Sequence, residues 1–253
     1  MGCRGGRVRH SSPVTSSRRI LSDLVTLSLA AATGETIWKT DRTPYIDYGT
    51  DNGDQMKAYC TPIVITVDGQ DQLISPTSKA TVALDPATGK ELWQVRYREF
   101  SATSKPILGD GMLFLNTGFG RAKLYAVRTG GEGDVTDTHV EWIASKSIPS
   151  KPSSLLVNGL LFLIHDQGVA SCLDAQTGKI VWQQRIGGNY SASPLYADGK
   201  IYLFSQEGKT TVVAADKDFK RLAENKLESG FMASPAVDWD DLILRTKTHL
   251  YRV

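Results

Sequence analysis

The chain has 253 residues and is 41% hydrophobic, which is enough for a sizeable core in one large domain or two small ones. Its net charge of +2 comes from residues 1–22, which hold five arginines and no acidic residue; the remainder has 24 Lys and Arg against 27 Asp and Glu. This mildly acidic body gives no support for nucleic-acid binding, which requires a clustered basic face. The three cysteines are far apart, and their spacing indicates neither a metal site nor a disulfide framework.

Residues 1–22 are rich in glycine, arginine and serine and have no hydrophobic periodicity, so we predict a disordered leader there. The pair Arg18 and Arg19 is compatible with a twin-arginine export signal, but Asp23 interrupts the apolar run that follows. We therefore find no convincing export signal in the chain. No segment approaches the roughly 20 apolar residues that a membrane-spanning helix requires.

A nine-residue segment, Asp85–Trp93, recurs along the chain. It is repeated as Asp174–Trp182, appears without the leading Asp in Ala32–Trp38, and has a degenerate copy at 215–223. Asp can accept hydrogen bonds from its own backbone, and Gly supplies the positive φ that closes a tight turn. We predict that each copy is a hairpin turn whose Trp lies on the following strand.

A second marker has a similar period. Tyr190–Pro194 and Phe231–Pro235 match each other, and the prolines of this marker are Pro62, Pro106, Pro152, Pro194 and Pro235, at steps of 41 to 46 residues. A period of ~40–45 residues is typical of four-stranded propeller blades. Asn-Gly or Asp-Gly pairs provide the first turn of each blade, as in Asp198-Gly199.

The predicted fold is therefore all-β: a β-propeller of four-stranded antiparallel blades, following the leader 1–22 and occupying 23–253. Complete blades, with strands A to D in chain order, cover 58–98, 102–146, 149–187 and 190–229. Residues 23–40 supply the last two strands of an earlier blade, and 231–253 supply the first three strands of a later one. The glycines of Gly118–Gly120 and Gly130–Gly133 are interpreted as turn residues.

Two interpretations of the ends stay open. Thr36–Thr40 could join the last blade as its outer strand, which would close a five-bladed ring. Alternatively, the chain is the C-terminal part of a larger propeller, with an incomplete or open ring. We favour the second, because an unpaired half-blade behind an arginine-rich leader is typical of a truncated start. Open edges would then permit self-association.

Copies of Asp-x-x-Thr-Gly-Lys-x-x-Trp, each followed by an aromatic-x-x-Ser-Pro strand, resemble the pyrroloquinoline-quinone (PQQ)-like β-propeller repeat of bacteria over about residues 24–253. Intact members of that family have seven or eight blades. They include quinoprotein alcohol dehydrogenases and the propeller lipoprotein of the outer-membrane β-barrel assembly machine. The resemblance implies a periplasmic or secreted protein, and we expect a non-catalytic scaffold in the cell envelope with a protein partner and no cofactor.

The alternative implied by the resemblance is a fragment of a PQQ-dependent oxidoreductase. Such an enzyme would hold PQQ beside a disulfide between adjacent cysteines, with Ca²⁺ bound by Glu, Asn and Asp. No cysteines are adjacent here, and no residues match those ligands one by one. We therefore expect no catalytic residue and no metal site.

Because strands alternate in direction, the D–A and B–C loops share one face of a propeller, and a binding site built by several blades would lie there. The acidic loop 41–57 has many oxygen ligands but lacks the EF-hand spacing, so we interpret it as solvated. Our candidate ligand-binding residues on this face are Asp47, Tyr48, Asp51, Asp54, Asn116, Arg121, His165, Asp166, Asn189, Tyr190, Glu207 and Lys247. The repeat residues expected to pack blade on blade are Trp38, Trp93, Trp142, Trp182, Gly34, Gly89 and Gly178.

Overall fold

The computed structural model describes residues 25–41 and 53–253. The predicted leader 1–22 and three of the candidate residues, Asp47, Tyr48 and Asp51, lie outside this range. Within it, the structure consists of short strands, one 3₁₀ turn (Gly53–Met56) and one helical turn, α1 (Thr136–His139). In the described part of the chain, no helix is long and apolar enough to cross a membrane.

The strands form six sheets, numbered here as blades one to six in chain order. Their bounds are β1 (Val25–Leu29), β2 (Thr36–Asp41), β3 (Ile63–Val67), β4 (Gln70–Pro76), β5 (Ala80–Leu84), β6 (Glu91–Arg96), β7 (Ile107–Gly109), β8 (Met112–Asn116), β9 (Leu124–Arg128), β10 (Gly133–Asp134), β11 (Val140–Ala144), β12 (Leu155–Val157), β13 (Leu160–Ile164), β14 (Val169–Asp174), β15 (Ile180–Arg185), β16 (Leu195–Ala197), β17 (Lys200–Phe204), β18 (Lys209–Ala214), β19 (Arg221–Lys226), β20 (Ala236–Asp238), β21 (Asp241–Arg245) and β22 (Leu250–Arg252).

The predicted blade count is confirmed. Blades two to five each contain four consecutive antiparallel strands: β3 to β6, then β7, β8, β9 and β11, then β12 to β15 and β16 to β19. Blade one is the hairpin β1–β2, and blade six is the three-stranded sheet β20–β21–β22. Among the described strands, β2 pairs only with β1 and β22 only with β21, so the outer-strand exchange that would close a five-bladed ring is not formed. The fold is a β-propeller with four complete and two partial blades.

The A–B turns have the backbone that the Asn-Gly and Asp-Gly pairs predict. Asp198 has φ 49° and Gly199 has φ 69°, so both central residues are left-handed. This backbone suits a two-residue hairpin, since its twist matches that of the flanking strands. The same pairing of positive φ values occurs in the other complete blades at 68–69, 110–111 and 158–159.

The C–D turns are closed by the repeated Asp and Gly. Asp85 Oδ1 accepts hydrogen bonds from the backbone N–H groups of Ala87 (2.8 Å) and Thr88 (2.9 Å), and Gly89 N–H donates to the Asp85 carbonyl at 2.8 Å. Asp174 Oδ1 similarly accepts from Thr177 N–H at 2.9 Å. These are the self-capped turns that the repeat predicts.

Three of the four repeat tryptophans dock one blade onto the C–D turn of the next. Trp38 Nε1 donates to the Pro86 carbonyl (2.9 Å), Trp142 Nε1 to the Ala175 carbonyl (3.1 Å) and Trp182 Nε1 to the Asp216 carbonyl (3.0 Å). At these positions the indole nitrogen of one blade thus contacts the backbone of the next. The repeat tryptophans do not all occupy buried core positions, because Trp142 and Trp182 are only partly buried.

Trp93 is held differently. It is fully buried, and its Nε1 donates to Gln72 Oε1 of its own blade at 2.8 Å. The C–D connection of blade three contains more than the predicted turn glycines, since its strand β10 pairs in parallel with β6, with Gly133 opposite Trp93. Val135, buried just beyond β10, donates its N–H to the Gln94 carbonyl at 2.9 Å. Blade two thus has a fifth strand, contributed by blade three.

The starts of the A strands are linked from blade to blade. Lys105 N–H donates to Ser153 Oγ (3.0 Å), Ser153 N–H to Ser193 Oγ (3.0 Å), and Ser193 N–H to Ser234 Oγ (2.9 Å). This series of hydrogen bonds shows that Ser153 is the equivalent of Ser193. Ser154 therefore occupies the proline position of blade four. The use of Pro152 as the repeat marker was therefore wrong by two residues.

Candidate functional site

The D–A loops and B–C turns form one face of the molecule, joined by backbone hydrogen bonds. Phe119 N–H donates to the Phe100 carbonyl at 2.8 Å, and Tyr190 N–H donates to the Asp166 carbonyl at 2.9 Å. Neighbouring D–A loops are also linked, because Tyr59 N–H donates to the Ala102 carbonyl at 2.7 Å. These bonds between loops of different blades fix the shape of the face.

Two candidate residues are buried beneath this face. Asn116 Nδ2 donates to the Pro149 carbonyl (2.7 Å), and its Oδ1 accepts from Gly118 N–H (2.9 Å), so its side chain shapes the adjoining loops. Tyr190 is fully buried, and burial raises the pKa of its hydroxyl to about 12. Neither side chain is presented to a ligand on the surface.

Two acidic candidates are bound to neighbouring loops. Asp166 Oδ2 accepts from Ser150 N–H at 2.6 Å, and its Oδ1 lies 3.4 Å from Lys151 Nζ. Glu207 accepts from Asn189, at 3.1 Å from the backbone N–H and 2.9 Å from Nδ2. Burial by itself raises the pKa of Glu207, but hydrogen bonds from Asn189 and within its own turn outweigh it and hold the pKa below its usual range. Both carboxylates orient loops.

The remaining candidates lie apart from each other. Arg121 is exposed in the B–C turn of blade three, at φ 75°. His165 Nδ1 accepts from Gln167 N–H (3.1 Å) in blade four, and Lys247 is exposed in blade six. Asp54 lies in the 3₁₀ turn Gly53–Met56. Of the candidate set, the structure joins Asn189 to Glu207 and Tyr190 to Asp166. Asn116 and Arg121 are both in blade three, and His165 adjoins Asp166 in blade four, whereas Lys247 lies apart in blade six.

This face contains an aromatic groove of about 350 Å³ between blades two, three and four. Tyr59 and Phe119 expose 61% and 62% of their surface there, and the rings of Phe100 and Phe119 meet edge to face, 5.7 Å apart. The groove is lined by Tyr59, Phe100, Ser101, Thr103, Phe119, Ser150 and Lys151.

Local backbone geometry positions the groove. At Gly118, a Cβ would lie 2.7 Å from the backbone nitrogen of Ala102, so only glycine permits this close approach of the B–C turn to the D–A loop. Thr103 Oγ1 donates to the Ser150 carbonyl at 2.7 Å, which ties the blade-three loop to the blade-four loop. The walls of the groove are therefore held by backbone contacts before any ligand arrives.

Tyr59, Phe100 and Phe119 were not among the sequence-based candidates. The available signal was weak, because an aromatic residue begins several copies of the strand-A marker and has a different environment in each. Tyr190 and Phe231 are buried at this place in later blades, whereas Tyr59 is exposed and Phe100 is half-buried. A phenylalanine between two glycines, as in Gly118–Gly120, is the feature that could have indicated an exposed ring.

Comparisons with known proteins agree with the repeat architecture. The family described as outer membrane protein assembly factor BamB matches residues 23–252. The outer membrane protein assembly factor BamB of Yersinia pestis is 21% identical in an alignment of 202 positions, which covers 74% of this chain and 48% of that protein. The chain thus spans about half the length of this curated relative.

Two solved structures share the fold. BamB from Moraxella catarrhalis superposes with a TM-score of 0.62 at 14% identity, covering 88% of this chain and 64% of the other. Quinohemoprotein alcohol dehydrogenase from Comamonas testosteroni superposes with a TM-score of 0.58 at 16% identity, covering 82% and 41%. With the match along 23–252, these findings show that the chain belongs to the BamB family of PQQ-like β-propeller repeat proteins.

Proposed function

We propose that this protein is a non-catalytic binding scaffold whose aromatic groove holds an extended, apolar segment of a protein partner. The observation that carries this proposal is the pair of solvent-open rings, Tyr59 and Phe119, in a concave site with preformed walls. Aromatic side chains supply large contact area at low cost in conformational entropy. The groove also contains hydroxyl groups and the Lys151 ammonium, which are groups that can hydrogen-bond to the backbone of a bound segment.

The identity of the partner rests on the relatives. Their name describes factors for the assembly of outer membrane proteins, and we extend that role to this chain, in the periplasm or as a secreted protein. Strands of outer-membrane barrels alternate apolar and polar side chains in segments of about ten residues. Such a segment, extended across the groove, could place alternate side chains against Phe100, Phe119 and Tyr59.

The quinoprotein alternative has less support in the residues present. Cys60 and Cys172 lie in separate parts of the propeller, and burial raises the pKa of each thiol to about 12. Among residues 25–41 and 53–253, no group of three or more His, Cys, Asp or Glu side chains is placed to hold a metal ion. The described donors therefore give no support to a bound quinone and calcium pair, and the likeness to the dehydrogenase is one of fold.

The test is peptide binding measured by fluorescence anisotropy. The probe is a dye-labelled eleven-residue barrel-strand peptide with alternating apolar and polar residues, and a peptide of the same composition in scrambled order is the control. We expect Tyr59→Ser and Phe119→Ser each to weaken binding at least about tenfold, the loss of roughly 1.4 kcal/mol. Tyr196→Ser, which removes a partly exposed ring from blade five, is the matched control and should have no effect.

Equal binding of both peptides, or equal effects of all three variants, would reject the groove as the binding site. The alternative has its own readout: dye reduction by the protein after addition of PQQ and Ca²⁺. Activity there, lost on removal of calcium, would replace the scaffold proposal with an enzymatic one.

A further inference from the structure

The A–B turn of blade six, Asp238–Asp241, carries the most exposed large hydrophobic side chain of the described residues. Trp239 is 94% exposed, and within the described part of the chain it has neither a hydrogen bond nor a ring contact. It lies at the tip of the hairpin β20–β21, on the face opposite the aromatic groove, since A–B turns and B–C turns are at opposite ends of the strands. Trp239 therefore adds nothing to the packing of the three described strands of blade six.

The backbone at Trp239 is also unfavourable. Its φ of 57° lies in the left-handed region, which a bulky side chain rarely adopts. In the complete blades this position holds residues that tolerate such a φ, each followed by glycine: Asp68, Asp110, Asn158 and Asp198. In blade six the turn is Trp-Asp. Residues held in such costly conformations are concentrated at binding and catalytic sites.

The charges around the ring indicate what it would bind. Asp238 and Asp240 flank Trp239, and both are exposed. Neither carboxylate has a hydrogen bond or an ion pair with the described residues. Asp241, by contrast, accepts from Arg252 Nε at 2.7 Å. An indole face attracts a cation more strongly than other aromatic side chains do, and two adjacent free carboxylates reinforce that attraction.

Apolar surface lies beside the charged turn. Val237 and Val253 are 52% and 66% exposed, and both are opposite Leu242, Val237 through strand pairing and Val253 through paired backbone hydrogen bonds. They therefore lie on the same side of the sheet. The methylene stem of a Lys or Arg could lie along this surface while its charged end reaches Trp239 and the carboxylates.

We propose that the blade-six turn is a second docking site, which takes a lysine- or arginine-bearing segment of a protein partner. Trp239 supplies the cation–π contact, and Asp238 and Asp240 supply charge. The carboxylates disfavour an anionic lipid surface, which is the other common destination of an exposed Trp. This site is independent of the aromatic groove and does not rest on the proposed function.

The test uses the full chain and a dye-labelled octapeptide that has three arginines separated by glycine and serine. An otherwise identical peptide with three glutamates is the control, and anisotropy is read at low and moderate salt. We expect the arginine peptide alone to bind, with affinity falling as salt rises. Trp239→Asn should weaken binding at least tenfold, and replacing Asp238 and Asp240 with Asn should remove most of the salt dependence.

Thermal unfolding separates binding from folding. Trp239→Asn installs the residue type that Asn158 provides in blade four, so its melting temperature should equal or exceed that of the parent chain. A melting temperature several degrees lower would show that Trp239 serves the fold and would overturn the proposal. Equal binding of the arginine and glutamate peptides would overturn it as well.

Two further controls address other occupants. If arginines of the chain itself occupied the turn, they would compete with the peptide. Peptide affinity is therefore also measured for a full chain in which five arginines are replaced by glutamine: Arg4, Arg7, Arg9, Arg18 and Arg19. Unchanged affinity supports an external partner, and a tenfold gain assigns the turn to residues 1–22. Binding to phosphatidylserine vesicles that is lost in Trp239→Asn would assign it to a membrane surface. Either of the latter results contradicts the proposal.

Discussion

The indole ring of Trp38 lies directly against Gly89 of the next blade. A Cβ placed on Gly89 would be 2.6 Å from Trp38 Cδ2, and one placed on Gly178 would be 2.6 Å from Trp142 Cδ2. The glycine of the repeat thus serves two purposes: it adopts a positive φ, and it leaves room for the docking ring of the preceding blade. Gly34 shares the positive φ, but a Cβ placed on it would meet nothing within 4 Å.

This relationship allows the two purposes of the glycine to be separated. Gly34→Ala should cost about 1 kcal/mol, the effect of positive φ alone. Gly178→Ala should cost that amount plus about 1–3 kcal/mol for displacing Trp142. Gly187→Ala is a second control, because Gly187 has positive φ and open space around it. Urea unfolding measures all three, and equal midpoints would contradict the docking role.

The repeat tryptophans should differ in their contribution to stability. Trp93 is fully buried, so Trp93→Ala should lower the free energy of unfolding by about 3–5 kcal/mol. Trp182 is partly exposed, although its ring packs against Phe219 at 5.1 Å, and Trp182→Ala should cost about half as much. Acrylamide quenching provides a check, measured on two single-tryptophan variants, one that retains only Trp93 and one that retains only Trp182. Quenching of Trp93 as strong as that of Trp182 would contradict the burial.

The repeat aspartates should make the free energy of unfolding depend on pH in the acidic range. Hydrogen bonds from the Thr177 side chain and backbone hold the pKa of Asp174 below its usual value. A carboxyl whose pKa is lower in the folded than in the unfolded state contributes stability above its unfolded value, about 3.9, and loses it as pH falls through the folded value. The difference in unfolding free energy between the parent and Asp174→Asn should therefore be constant near neutral pH and shrink below pH ~4.

The measurement is urea unfolding at a series of pH values. Asp110→Asn is the control, because Asp110 belongs to an A–B turn, is exposed, and its carboxylate has no hydrogen bond or ion pair among the described residues. A stability difference for Asp174→Asn that grew on acidification would reverse the expected sign and contradict the capping role.

The open edges of the terminal sheets should promote self-association. In the described chain, β1 has a partner on one side and β22 has a partner on one side, so each presents unpaired backbone groups that can pair with another chain. Sedimentation velocity over a range of concentrations should show reversible growth in mass. A monomer independent of concentration would contradict the prediction.

The sequence by itself determined the blades, because the information needed was local and repeated. An Asp that caps its own turn, a Gly with positive φ and a Trp on the next strand act within nine residues, so Asp85–Trp93 and Asp174–Trp182 could be recognised without their neighbours. The two-residue turns such as Asp198-Gly199 depend equally on local backbone preferences. Blade order and the strands of both partial blades followed from the spacing.

Tertiary structure decided the features that depend on which segments meet. The parallel pairing of Gly133 with Trp93 crosses 40 residues and has no local pattern. The aromatic groove joins loops of three blades, and its rings differ from the buried Tyr190 only in what surrounds them. The exposure of Trp239 became informative only once the structure placed none of the described side chains against its ring. The burial of a side chain depends on the residues around it, and a repeat fixes those residues only where its copies have the same sequence.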